Sequence, residues 1–132
     1  MGDRILAGGV EEIGSFQPIQ LYAGEKQVVT TQGTLKAGQK VGRLNARNET
    51  FKFGIVQQDA DAGLIAYAGG AAKPYGILPH ALDTTATGYG AAVDTPVIVE
   101  AIINFEALDT AMTYAECQVA FAGSGITIQK LY

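Results

Sequence analysis

Apolar and polar positions alternate along most of this chain, and a period of two is the mark of a half-buried β-strand. Phe16 to Tyr22 alternates loosely, with Pro18 marking an edge or a strand start. Gln27-Val28-Val29-Thr30-Thr31 is β-branched, and Gly33 to Leu44 reads as two short strands around a glycine turn. Asn48 begins another turn before the alternating Phe51-Lys52-Phe53-Gly54-Ile55-Val56. Leu64 to Tyr67 is a short strand and Gly69-Gly70 a turn. Pro74 holds Lys73 extended and so introduces a Tyr75–Leu78 strand. The Thr- and Gly-rich stretch from Asp83 to Gly90 suits an exposed loop. The longest predicted strand is Val97 to Phe105. Val97, Val99, Ala101, Ile103 and Phe105 share one face of it, and Ile98, Glu100, Ile102 and Asn104 the other. Bulk on both faces implies a central strand, or one with a face against another subunit.

The period changes once, near the C-terminus. Asp109 is a fair N-cap for a helix over Thr110 to Ala120, and Leu108, Ala111, Met112, Ala115 and Val119 follow helical spacing, which assigns that stripe to the core. Gly123 and Gly125 stop the helix, and Ile126 to Ile128 returns as a strand. The predicted fold class is α+β and β-rich: a small, compact sheet or barrel-like body with one short C-terminal helix. Residues 1–15 read as a separate arm and residues 16–132 as the body. In the arm, Gly2, Gly8, Gly9 and Gly14 break any helix, yet Ile5, Leu6, Val10 and Ile13 are apolar. Two readings stay open, a disordered end and a segment that orders on binding.

Composition narrows the function. Hydrophobic residues make up 48% of the 132, enough for a core without staples, and charged residues only 17%, against about 25% in typical soluble domains. So sparse a charge suits a surface that a partner partly covers. The net charge of −4 and the scattered basic residues exclude nucleic acid as the main partner, since phosphate binding needs clustered Lys and Arg. No apolar run reaches the roughly 18 residues of a membrane span. The start, Met-Gly-Asp-Arg with Glu11-Glu12 soon after, lacks the pattern of a signal peptide, and Leu6 stands where myristoylation wants Ser or Thr.

The inventory for catalysis is thin. One cysteine, Cys117, allows no internal disulfide and sits in the predicted helix as a buried thiol. One His and one Cys cannot build a zinc cluster, and Asp59-Ala60-Asp61 lacks the rest of a calcium loop. His80 would need a serine partner. Ser124 sits in Ala122-Gly123-Ser124-Gly125, but after a helix and before a strand, the reverse of a nucleophile elbow. No phosphate loop ends in Gly-Lys-Ser/Thr. A non-enzymatic alternative is a biotinyl- or lipoyl-type carrier or small-ligand β-barrel, with Lys36 or Lys40 as the modified lysine, although neither has the usual flanking residues. The expectation is no enzyme activity, no cofactor and no metal.

Gly76-Ile77-Leu78 precedes a Thr-rich turn with Asp83, a long strand and a helix, and Ala120-Phe121-Ala122-Gly123 then leads into Ile126-Thr127-Ile128. Together these resemble the head decoration proteins of lambda-like tailed bacteriophages over about residues 75–128. The chain departs from that pattern at Glu100 to Phe105, which lacks a glycine-containing turn. The resemblance implies a homotrimer that binds the major capsid protein on the outside of the expanded capsid, at three-fold and quasi-three-fold positions. It also implies a protein made in the host cytoplasm and carried on the outer virion surface, where it cements the shell against packaged DNA. Arms of such proteins can add a strand to capsid segments. Here Ile5, Leu6, Val10 and Phe16 are the expected capsid-binding residues of the arm.

Overall fold

The computed structural model describes residues 19–131, and the β-rich class read from the sequence is what it shows. Its spine is β8 (Val93–Asn104), the strand expected to be longest and central. Its first half pairs antiparallel with β1 (Val29–Leu35), and Ile98 pairs with Ile77 of β6 (Gly76–Ile77). Its second half carries β10 (Gly125–Gln129) in parallel. β4 (Thr50–Gln58) joins β6 to β5 (Leu64–Ala66), and β5 meets β1 at Leu35 and Leu64. The path β1–β5–β4–β6–β8 thus returns to β1, a closed ring of five strands, which makes the body barrel-like.

Alternation explains the packing. Along β8, Val97, Ala101 and Ile103 are buried, while Asp94, Pro96 and Glu100 face out. One core cluster gathers Phe53, Ile55, Ile77, Ile98, Ile103, Phe121, Ile126 and Ile128. A second, at the other end, joins Leu35, Val41, Val56, Leu64, Leu78 and Val97. Short pairings close the ends: β2 (Lys40–Val41) with β7 (Leu82–Asp83), and β3 (Arg43–Leu44) and β9 (Leu108–Asp109) with β4.

Buried polar groups tie these pieces together. Thr84 is fully buried inside the stretch expected to be an exposed loop. Its hydroxyl donates to Lys36 O (2.5 Å) and accepts from Gln39 N (3.0 Å), and its backbone pairs with Gly38 and Gln39. An isolated hydroxyl would be costly to bury, so this network holds the 36–39 turn against β7. Residues 86–92 are exposed, as a loop should be.

Three expectations need correction. The stretch from Gly33 to Leu44 does hold strands around a turn at Gly38, but the two flanking strands do not pair with each other. Gly33 lies inside β1, and β1 and β2 pair with other strands. A Cβ at Gly33 would strike Leu64 and Val97, so glycine serves close packing there. The helix is shorter than predicted. Asp109 ends a strand, and α1 runs from Tyr114 to Ala120 with Thr113 as its N-cap. The stripe assigned to the core does not lie in it as a unit. Leu108 is buried in β9, but Ala111, Ala115 and Val119 are exposed and Met112 is half-buried. Tyr114, Cys117 and Phe121 make the inward face instead.

Candidate interaction site

The local sequence positions α1 firmly. Thr113 Oγ1 accepts from Glu116 N, and Glu116 Oε1 accepts from Thr113 N (2.8 Å), a reciprocal capping box. At the other end Phe121 N donates to Cys117 O, and the Ser124 hydroxyl donates to Phe121 O at 2.6 Å. Cys117 and Phe121 fix which side faces the core, so Ala115 and Val119 point outward. Val119 is 73% exposed, the most of any large apolar side chain described. Between this face and the loop at 68–73 (Ala-Gly-Gly-Ala-Ala-Lys) lies an open groove of about 750 Å³. Ala111, Met112, Ala115 and Val119 form one wall and the loop the other, with Tyr67 at the base of the loop.

A second surface is backbone. β1 meets β5 only at Leu35, where Lys36 N also donates to Leu64 O. From Val29 to Gly33 no described strand pairs with that edge. Residues two apart share a direction along a strand, so Thr30 and Gln32 turn their peptide groups to the open side, as Lys36 does. Pro96, opposite Gln32 on β8, has no N–H to offer. By contrast β10, the outer strand beside β8, is covered by α1: Tyr114 Oη and Gln118 Nε2 both reach Ile128 O at 3.4 Å. Among the described residues β1 therefore presents an exposed edge of the main sheet.

The chain enters the described body at Ile19. Asn104, fully buried at the end of β8, clamps that entry. Its Nδ2 donates to Gln20 O (2.9 Å), its backbone N to Leu21 O (2.7 Å), and its Oδ1 accepts from Glu106 N. Tyr22 bridges Ile103 on the same edge. The four residues expected to grip a capsid, Ile5, Leu6, Val10 and Phe16, lie outside the described residues, as does the whole arm at 1–15.

Of the candidates for chemistry, Ser124 and Cys117 are held within the fold. Ser124 Oγ closes the turn after α1, bonding Phe121 O and accepting from Ile126 N. His80 is exposed in the turn after Leu78. Burial pushes the Cys117 thiol up to about 11, so it stays protonated at neutral pH. Lys40 lies in β2 opposite Asp83, not at a hairpin tip. Among the described residues no three His, Cys, Asp or Glu side chains gather as metal ligands.

Lys36 bridges Asp59 (2.5 Å) and Asp61 (3.2 Å) beside the β1–β5 contact. The hydrogen bonds that Lys36 Nζ donates to Asp59 and then to Asp61 raise the lysine's pKa from its ordinary value, and the one Asp59 accepts lowers the aspartate's. A depressed aspartate contributes stability above its unfolded pKa, and that stability is lost as pH falls through the folded value. A raised lysine contributes stability below its unfolded pKa, lost as pH rises through the folded value. The bridge is thus intact between about pH 4 and about pH 10. Asp83 adds to the acid limb, because the Thr85 hydroxyl and N–H lower it too. Thermal melts from pH 7 to pH 2 are expected to show a shallower acid loss in Asp59→Asn than in the parent. Parallel profiles would rule the bridge out as a contributor. The effect is modest, since both partners are about a third exposed.

No protein-family model matches the chain, and no curated protein matches it. Sequence reading missed the outward face of α1, the Asn104 clamp and the open β1 edge. The capping box Thr113-x-x-Glu116 was a legible signal for where α1 starts, but not for which of its sides faces out.

Proposed function

We propose that this protein is a head decoration protein of a lambda-like tailed bacteriophage. It acts as a homotrimer on the exterior of the expanded capsid, at three-fold and quasi-three-fold positions, and reinforces the shell against packaged DNA. The observation that carries the reading is that two apolar residues of the helix, Ala115 and Val119, turn out of the fold instead of into it. The resemblance over residues 75–128 supports it. Its closing words supply the buried Phe121, Ile126 and Ile128 that set the pose of that helix.

The physics is linkage. A protein that binds the expanded lattice and not the unexpanded one stabilises the expanded lattice by its binding free energy. Three copies joined together engage several capsid subunits at once, so weak contacts combine through effective concentration. Strand addition by the arm suits this role, because backbone hydrogen bonds supply affinity while Ile5, Leu6, Val10 and Phe16 select register. The open edge at Thr30–Gln32 offers a second place for strand pairing. The protein makes and breaks no covalent bonds in this role.

The test is co-sedimentation of the purified chain with expanded, undecorated heads. Binding is expected for the full chain. Deleting residues 1–15 is expected to abolish it, while circular dichroism and solution mass stay those of the parent. Unchanged binding by the truncated chain overturns the role of the arm. A full chain that is monomeric and ignores the heads overturns the reading as a whole.

A further inference from the structure

We infer that the open edge of β1, at Thr30 and Gln32, takes an extended, uncharged segment of the capsid protein as an added strand. This rests on the decoration reading above and goes beyond it, since it gives the body a contact of its own besides that of the arm. Gln32 faces Pro96 on β8, which has no N–H, so the peptide groups of Gln32 turn away from β8. Thr30, two residues earlier, turns the same way. No described residue bonds those two N–H and two C=O groups. Open edges are ordinarily blunted by charge, by proline or by a cover. From Gln27 to Leu35 there is no charged residue and no proline, and the one irregularity, between Val29 and Thr30, sits at the start of the strand. An edge so unguarded is a liability unless a partner covers it.

Position selects the occupant. Leu21 O accepts from Asn104 N and Ala23 N donates to Ile102 O, on the side of β8 opposite β10 and in line with β1. The arm therefore leaves the body from this same edge. A capsid segment gripped by the arm is brought beside β1, and pairing there requires little further ordering. The β1 edge of another copy does not fit, because two like edges meet about a two-fold axis and close at two. The seat is short. β5 claims the edge at Leu35 and the strand begins at Val29, which leaves about five residues, or roughly 17 Å. No side chain of β1 is charged, so nothing there offers a counter-charge. Recognition is by main chain, and the segment that fits is extended and free of charge and proline.

The experiment is backbone amide exchange by mass spectrometry on the full chain, free and bound to expanded, undecorated heads. Exchange at Thr30 and Gln32 is expected to slow at least about tenfold on the heads. Gln32→Pro removes one outward N–H and sets its ring on the edge, while no ladder bond to β8 is lost. Its dissociation constant for heads, from co-sedimentation, is expected to rise roughly tenfold or more. Gln32→Ala, which changes the side chain alone, is expected to bind within about twofold of the parent. Circular dichroism and the melting temperature check the fold of both variants, and the exchange reading needs no variant. Heads that bind the full chain without slowing exchange at either residue overturn the inference and leave the decoration reading standing. Slow exchange already present in the free chain assigns the edge to the arm or to another copy, and overturns the inference too. Equal losses of affinity in Gln32→Ala and Gln32→Pro overturn it as well, since the side chain is then what binds. A full chain that ignores the heads overturns the decoration reading and the inference together.

Discussion

Phe121→Ala is expected to lower the unfolding free energy by about 3–5 kcal/mol, the range for deleting a buried aromatic side chain. Phe121 is 2% exposed and shares the larger core cluster with Cys117, Ile103, Ile126 and Ile128. It is also the C-cap of α1. Its N–H bonds Cys117 O, and its carbonyl takes the Ser124 hydroxyl and N–H. Truncation therefore removes apolar area and leaves a cavity at the point where helix, turn and β10 meet. A domain of this size has about 5–15 kcal/mol in total, so the variant keeps little margin. Urea unfolding should show a lower midpoint at unchanged slope. Val119→Ala, on the exposed side of the same helix, should move it by less than about 0.5 kcal/mol in the isolated subunit. A loss at Phe121 under about 1 kcal/mol would mean that α1 is not anchored by this ring.

Gly54→Ala comes next, at about 3 kcal/mol or more, the upper end for forcing extra atoms into a packed interior. A Cβ there would lie closer than 3.0 Å to the backbone of Val41 and Gly42, besides the Val41 side chain. Backbone cannot rotate away as a side-chain tip can. β4 cannot retreat either, since Gly54 pairs with Asp109 of β9 and its carbonyl accepts from Leu78 N at 3.0 Å. Gly38 is the comparison. Its φ of +84° strains any other residue, but nothing lies within 4 Å of a Cβ there. Gly38→Ala should cost only that strain, about 1–2 kcal/mol. If the two variants melt alike, the close crossing of β2 over β4 is not what glycine 54 serves.

How far these features could be read in advance differs from residue to residue. The strands β4 and β8 were legible from their alternating sequence and β5 as a short apolar run, although in β4 Phe53 to Val56 are buried without a break because both faces are covered. The centrality of β8 follows from bulk on both of its faces. The helix shows where pattern fails. Ala111, Ala115 and Val119 obey helical spacing, but so do Tyr114, Cys117 and Phe121, and spacing does not say which stripe is inside. Bulk decides it, since Phe121 and Tyr114 bury more area than alanines do. The start of the helix was legible in the Thr113–Glu116 pair, and Asp109 competed with it only as a lone N-cap candidate.

Other features had no local signature. Asn104 and Thr84 look like ordinary polar residues, and their burial depends on Gln20, Lys36 and Gln39, partners 45 or more residues away. The fate of Gly33 is of the same kind: a glycine among β-branched residues reads as a turn until β8 and β5 close around it. The amino-acid order by itself determined a β-rich body, one short C-terminal helix, and a surface short of charge, because these rest on periodicity and composition. The ring of five strands, the open edge of β1 and the outward face of α1 were decided only by tertiary structure. Each depends on which distant backbone claims a strand's hydrogen bonds, or on which of two apolar stripes buries the larger side chains, and neither choice is encoded within any one segment.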